Sequence, residues 1–247
     1  MSGSPGPVTI HQPQFNPYLG VVAKYLLAGT IIHLDTVQFV KNEYQNRNLI
    51  CASGKPLWLT VPVRHNHGQS IRETKVQSDT RWQDKHLKTL RQFYSKETHF
   101  GEVFSSLAEV YEESPENLSD WNGRFLGWLF ERLGIEKPVV WASEMADIPE
   151  GRDERLIELV RKAGGEIYLS GANGLKYLDR EKWDHQRVTV SFLRFTHPTY
   201  DQGGGPFLPY CGILDLLFRE PADRCREIIL SGVEVLDWDG EHAVSGA

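Results

Sequence analysis

The chain has 247 residues, 40% hydrophobic and 24% charged, with a formal net charge of −6 and a pI near 5.9. That length suits one large domain, or one domain with an insert, and the acidic balance excludes a global attraction for nucleic-acid phosphates while leaving room for a local basic pocket. Three cysteines without C-x-x-C spacing (Cys51, Cys211, Cys225) argue against a disulfide framework or structural zinc, and no apolar run approaches the roughly 20 residues that span a bilayer, so a reducing cytoplasm without membrane contact is expected.

Met1 to Pro7 is rich in Gly, Ser and Pro, lacks a signal-peptide pattern and reads as a flexible lead-in, 1–7. Val8 to Ile10 suits a buried strand. A loop dense in reactive groups follows: His11, Gln12, Gln14 and Asn16. Asn16 then Pro17 predicts a helix start, with Asn as the cap; Tyr18, Leu19, Val22, Tyr25 and Leu26 keep helical spacing up to Gly29. Ile31, Ile32 and Leu34 predict a second strand ending at Asp35. Strand, polar loop, helix, strand is the pattern of a parallel βαβ unit. Ligands of such sheets sit beyond the carboxyl ends of strands, so His11 and Asp35 are expected to face one pocket.

Val37 to Asn48 is polar and aperiodic, a candidate substrate loop carrying Lys41, Asn46 and Arg47. Leu49–Cys51 and Leu57–Val63 flank a hairpin turn with Gly54 and Pro56. Arg64–Gly68 (RHNHG) offers two histidines, read as a solvated loop rather than a metal site, and Ile71–Val76 as a short strand. Trp82–Lys96, Phe100–Glu113 and Leu118–Leu133, the last capped by Ser119, predict a helical insert over about 82–134. Pro138–Ala142, a helix over Asp153–Ala163 and Glu166–Leu169 form a second strand–helix–strand unit. It exits into SGANG, Ser170 to Gly174, a tight turn or an anion-binding turn reinforced by Lys176. Trp183 begins a loop, Val188–Phe195 alternates as a strand, and the stretch from His197 through Tyr200, Gln202 and Gly203–Gly205 is either a lid or a surface crossing. Pro209 opens a final helix carrying Asp215, and 237–247 reads as a frayed tail. The expected fold is α/β: one domain over 8–236, a mostly parallel sheet from two strand–helix–strand units with a helical insert, Rossmann-like.

Several stretches carry a resemblance. HQPQF and PYLG from His11 to Gly20, LDTVQFVKNEYQNRN to Asn48, WLTVPV at Trp58–Val63, WQDKHLKTLRQFY at Trp82–Tyr94, IYLSGANGLKYL at Ile167–Leu178, HPTY with Gln202, and FLPYCGILDLLF to Phe218 resemble the WbqC-like family over most of the chain. That family is associated with bacterial surface-polysaccharide clusters and related small-molecule pathways. The resemblance implies transfer of an acyl or aminoacyl group to an amino sugar or similar amine, favours a ligand at SGANG and raises the functional reading of His86.

Transfer needs a base and donors for the oxyanion. His11 suits the base, with Asp35 to fix its tautomer; His86 is a third catalytic candidate. Gln12, Gln14, Lys41, Asn46, Arg47, Ser170, Gly171, Lys176, Tyr177, His197, Tyr200 and Gln202 are candidate substrate-binding residues. The donor is expected to be a thioester of coenzyme A or of a phosphopantetheinyl acyl or peptidyl carrier protein; ring closure on a bound thioester fits the same residues. Three alternatives stand beside this: covalent catalysis by Cys211 at a helix start, a metal held by His11, Asp35 and His86 or His197, and a non-catalytic nucleotide-sugar or carrier-binding protein.

Overall fold

The computed structural model describes residues 6–113 and 115–242, so residues 1–5 of the expected lead-in and 243–247 of the expected tail lie outside the described residues. Its centre is β1 (Val8–His11), flanked by parallel β2 (Thr30–His33) and parallel β8 (Ile167–Gly171). Beyond β2 lies parallel β7 (Val139–Trp141), beyond β8 parallel β9 (Thr189–Phe195), and antiparallel β10 (Val233–Leu236) closes that edge. The spatial order is β10-β9-β8-β1-β2-β7. The chain therefore grows outward from β1 in one direction, then restarts on its other side at β8.

Strand side chains point alternately to the two faces. Ile31, Leu169 and Leu193 face a layer that includes α1 (Leu19–Leu27), α7 (Ile213–Leu217) and α8 (Ala222–Ser231). Val8, Ile10, Ile32, Val190 and Phe192 face the layer of α5 (Arg152–Lys162) and α6 (Arg180–His185). Both faces are covered, which is why these strands read as near-continuous apolar runs.

The excursion between β2 and β7 holds two hairpins, β3–β4 (Arg47–Ala52, Lys55–Thr60) and β5–β6 (Val63–Arg64, Lys75–Val76), then α2 (Trp82–Tyr94), α3 (Phe100–Glu112) and α4 (Leu118–Arg132). In α2, Trp82, His86, Leu90 and Tyr94 are the buried stripe at i, i+4 spacing. The β3–β4 turn is Ser53–Gly54, both at positive φ (52° and 76°), and Pro56 lies inside β4 opposite Cys51, not in the turn. A two-residue turn with both φ positive matches the twist of the flanking strands.

Trp183 sits inside α6, fully buried, donating its indole N–H to Asp153 at 2.7 Å. Ser119 is not the cap of α4; that position is Asn117. Asn16 does not cap α1 either: it adopts φ 47°, and its Oδ1 accepts from Leu214 N–H of α7 at 3.0 Å. Helix α8 and strand β10 were not foreseen, and Asp237–His242 fold into a turn bonded from Asp237 N–H to Glu241 O rather than fraying.

The loop after β1 runs through the interior, so its backbone groups need partners. Asn122 on α4 donates to Pro13 O (2.9 Å) and Gln45 O (2.8 Å); Phe15 N–H donates to Gln45 O; Asn48 donates to Asn16 O (2.6 Å). Asn122→Leu keeps the volume but strips the buried Pro13 carbonyl of its donor and leaves the Gln45 carbonyl with Phe15 N–H alone, and is expected to lose about 2 kcal/mol of stability; urea unfolding with an unchanged midpoint would refute this.

His33 and His86 are buried, and burial lowers both to about 4, the Thr60 carbonyl partly opposing this at His86. Unfolded histidine titrates near 6.5. Between these values the unfolded chain binds more protons than the folded one, so stability rises with pH across the window and is lost on acidification. From pH 7 to pH 5 each histidine is expected to cost about 2 kcal/mol of unfolding free energy, measured by denaturant titration at the two pH values; a flat profile would contradict their burial as neutral imidazoles.

Candidate functional site

The sheet's order reverses between β1 and β8, and a cleft opens at their carboxyl ends, where ligands of open parallel sheets bind. It has two parts. One cavity of about 560 Å³ is lined by His11, Gln14, Lys24, Ser170, Gly171 and Tyr210 among others. The second, about 390 Å³, is lined by His11, Gln12, Val37, Arg152, Arg155 and others. Tyr177 lines both parts. Arg152 fixes it, bonding its carbonyl and stacking its guanidinium 4.8 Å from the ring centre.

His11 is the last residue of β1, and its Nε2 is buried without a hydrogen-bond partner. Its pKa lies well below 6.5, chiefly from burial, then from the charge of Lys24 and from His33, with the neighbouring Gln14 opposing. The imidazole is therefore neutral at pH 7. Lys24 reaches back from α1 to donate to the Ile10 carbonyl at 3.1 Å; burial lowers its pKa to about 8. Tyr25 stands edge-on to both His11 (6.4 Å between ring centres) and His33 (6.1 Å), and its hydroxyl is buried without a partner.

Lys24 was missed from sequence. The signal was present: α1 is apolar on every side (LGVVAKYLL), and a lone charge in such a helix has no solvent face to occupy.

Of the residues singled out from sequence, His11, Gln12, Gln14, Ser170, Gly171 and Tyr177 come together at this cleft. Asp35 lies at the same end of the sheet but does not orient His11. Its fully buried carboxylate accepts the Ser143 N–H (3.1 Å) and O–H (2.7 Å) and faces Arg72 at 3.6 Å. A buried charge needs such donors, and the turn after β7 supplies them. His86 is away from the cleft: Nδ1 meets Tyr111 Oη (3.1 Å), Nε2 meets Thr60 O (3.0 Å), and the ring stacks on Phe15. Both nitrogens are satisfied inside the helical layer. Lys176 is exposed and lines neither cavity.

Tyr200 and Gln202 point instead to Asp215, which is fully buried. The carboxylate accepts from Tyr94 (2.5 Å), Tyr200 (2.7 Å) and Gln202 (3.1 Å), with Arg219 at 3.6 Å. Gln202 also exchanges two hydrogen bonds with the backbone of Leu208, pinning the base of the three-glycine loop rather than leaving it free. His197 packs against Phe195, Tyr200, Phe207 and Tyr210. Cys211 is buried beside this network; burial, then the Asp215 charge, push its thiol well above the ordinary value, the reverse of what a nucleophile needs. Lys41, Asn46 and Arg47 line a separate groove between the two hairpins. Among the described residues no three His, Cys, Asp or Glu side chains group as metal ligands, and no helix is long and apolar enough to cross a membrane.

The chain is 34% identical over 222 residues to the uncharacterized protein Rv1507c of Mycobacterium tuberculosis (strain ATCC 25618 / H37Rv), covering 87% of this chain and 94% of that protein. No solved structure matches it. The profile of the WbqC-like protein family matches residues 12–227, a span that takes in the loop after β1, the hairpins, the helical insert and the β8 edge of the cleft. The chain belongs to the WbqC-like protein family.

Proposed function

We propose that the cleft beyond β1 and β8 transfers an acyl or aminoacyl group from a thioester to an amine or hydroxyl acceptor, such as an amino sugar or amino acid derivative. The observation that carries this is the neutral, half-buried His11, whose Nε2 is buried and unpartnered, beside a buried Lys24 in one cavity. The strand order, counted along the chain as 3-2-1-4-5-6, supports a Rossmann-like reading of the fold, in which the reversal point receives the ligand.

In the reaction, the acceptor nitrogen or oxygen attacks the thioester carbonyl carbon while His11 takes its proton. Negative charge gathers on the carbonyl oxygen, and the ammonium of the buried Lys24 lowers its energy. The carbon–sulfur bond then breaks. The proton returns from the imidazolium to the departing thiolate, a transfer favoured because burial and the neighbouring ammonium both raise the energy of protonated His11. If acceptor and thioester belong to one molecule, the same steps close a ring. The donor is a coenzyme A or carrier-protein thioester, and the setting is a biosynthetic pathway.

Incubating the purified chain with acyl carriers, coenzyme A thioesters and candidate amines, read by mass spectrometry, tests the reading. His11→Ala is expected to lower turnover by about 10²–10⁴-fold with donor affinity retained. Equal turnover by wild type and His11→Ala would remove His11 from the chemistry, and ligand binding without any mass change would favour the non-catalytic binding protein instead.

Lys24 must be charged for its part, so the rate is expected to fall as pH rises through about 8. Lys24→Arg, which stays protonated, is expected to abolish that alkaline limb; a limb that survives the substitution belongs to another group.

A further inference from the structure

The groove between the two hairpins has about 650 Å³ of room, the scale of a small-molecule site. Its charged lining is Lys41, Arg47, Arg64 and Lys75, joined by His65 and by no carboxylate, on a chain of net charge −6. Arg64 and Lys75 are offset from outside the lining, by Asp79 (2.7 Å) and Glu116 (2.5 Å). The ion pairs among the described residues leave Lys41 and Arg47 unmatched.

Arg47 is held in place. Its guanidinium lies 4.3 Å over the Trp58 ring and donates to the Asn42 carbonyl at 2.5 Å, while its Nε is buried without a partner. The adjacent residue, Asn46, is only 7% exposed; it donates to the Val61 carbonyl at 2.8 Å, which leaves its Oδ1 buried and unpartnered. Unsatisfied buried polar atoms are costly, and these two, on adjacent residues of the lining, make opposite demands, one a cationic donor and one an acceptor.

A bare anion would answer the cations and not Asn46. A neutral sugar would answer Asn46 and leave the charge unmatched. A ligand with both phosphate oxygens and hydroxyl groups answers both, and a guanidinium fixed by stacking suits phosphate. We propose that this groove binds a hydroxylated phosphate ester, the chemistry shared by sugar phosphates and nucleotides. The proposal is independent of the chemistry at the sheet-edge cleft.

The test titrates the intact chain with ribose 5-phosphate, ADP and inorganic phosphate, using calorimetry for affinity and backbone amide shifts for location. At least one ester is expected to bind tenfold or more tightly than inorganic phosphate, with shifts over 41–47 and 60–65. Tighter binding of ribose 5-phosphate points to a sugar phosphate; tighter binding of ADP points to a nucleotide. Lys41→Glu, at an exposed position, and Arg47→Met, which keeps an apolar contact with Trp58, are each expected to weaken binding at least tenfold. Lys88→Glu, exposed on α2 outside the groove, should leave it unchanged. No saturable binding of either ester, shifts confined to the sheet-edge cleft, or equal loss in the Lys41 and Lys88 variants would overturn the proposal.

Discussion

The structure depends on satisfying the backbone of a loop that enters the interior straight after the central strand. Residues 12–16 leave β1 at the middle of the sheet, where no water reaches most of them, and their peptide groups are met by the side-chain amides of Asn122 and Asn48 and by the backbone of Gln45. Gln45 adds a side-chain bond to Gln12 at 2.8 Å. These partners come from the polar loop, from β3 and from α4, so the loop is the place where the helical insert, the first hairpin and the sheet are locked together. Asn16 extends the lock to α7 through its side chain.

This arrangement divides the polar residues of the chain into two populations that composition cannot separate. Gln45, Asn48 and Asn122 are spent on backbone groups. Asp35 and Asp215 are buried carboxylates surrounded by donors, the first by Ser143 and Arg72, the second by two tyrosines, a glutamine and an arginine. Such groups stabilise only as complete sets, because a single missing partner leaves a charge or dipole stranded in low dielectric. Of the buried polar atoms left without a partner, His11 Nε2 and Gln14 Oε1 belong to residues that line the cleft, and Asn46 Oδ1 and Arg47 Nε to residues that line the groove.

The cleft carries an electrostatic tension of its own. Two groups that bear positive charge when protonated, the half-buried His11 and the buried Lys24, lie near one another, and the fold accommodates them by making both weaker bases. The imidazole stays neutral, and the ammonium is anchored on the Ile10 carbonyl of the central strand. Neutral base and nearby cation are thereby set up before any ligand arrives.

Much of the architecture was legible in the sequence. The two strand–helix–strand units, the amphipathic stripe Trp82–His86–Leu90–Tyr94 and the first hairpin all follow from periodicities within a dozen residues, which is the range over which backbone geometry imposes a pattern. The position of His11 at a strand end followed from the same pattern. The pairings did not. Asn16 beside Pro17 has the local form of a helix cap, yet it caps a helix 198 positions away; Asp35 ends a strand next to His11, yet bonds a serine 108 positions on; His86 is satisfied by Tyr111 and Thr60. Every one of these polar groups has several partners that would serve it chemically. Which one it meets is decided only when the packed layers bring distant segments within hydrogen-bond reach, and no local spacing encodes that distance.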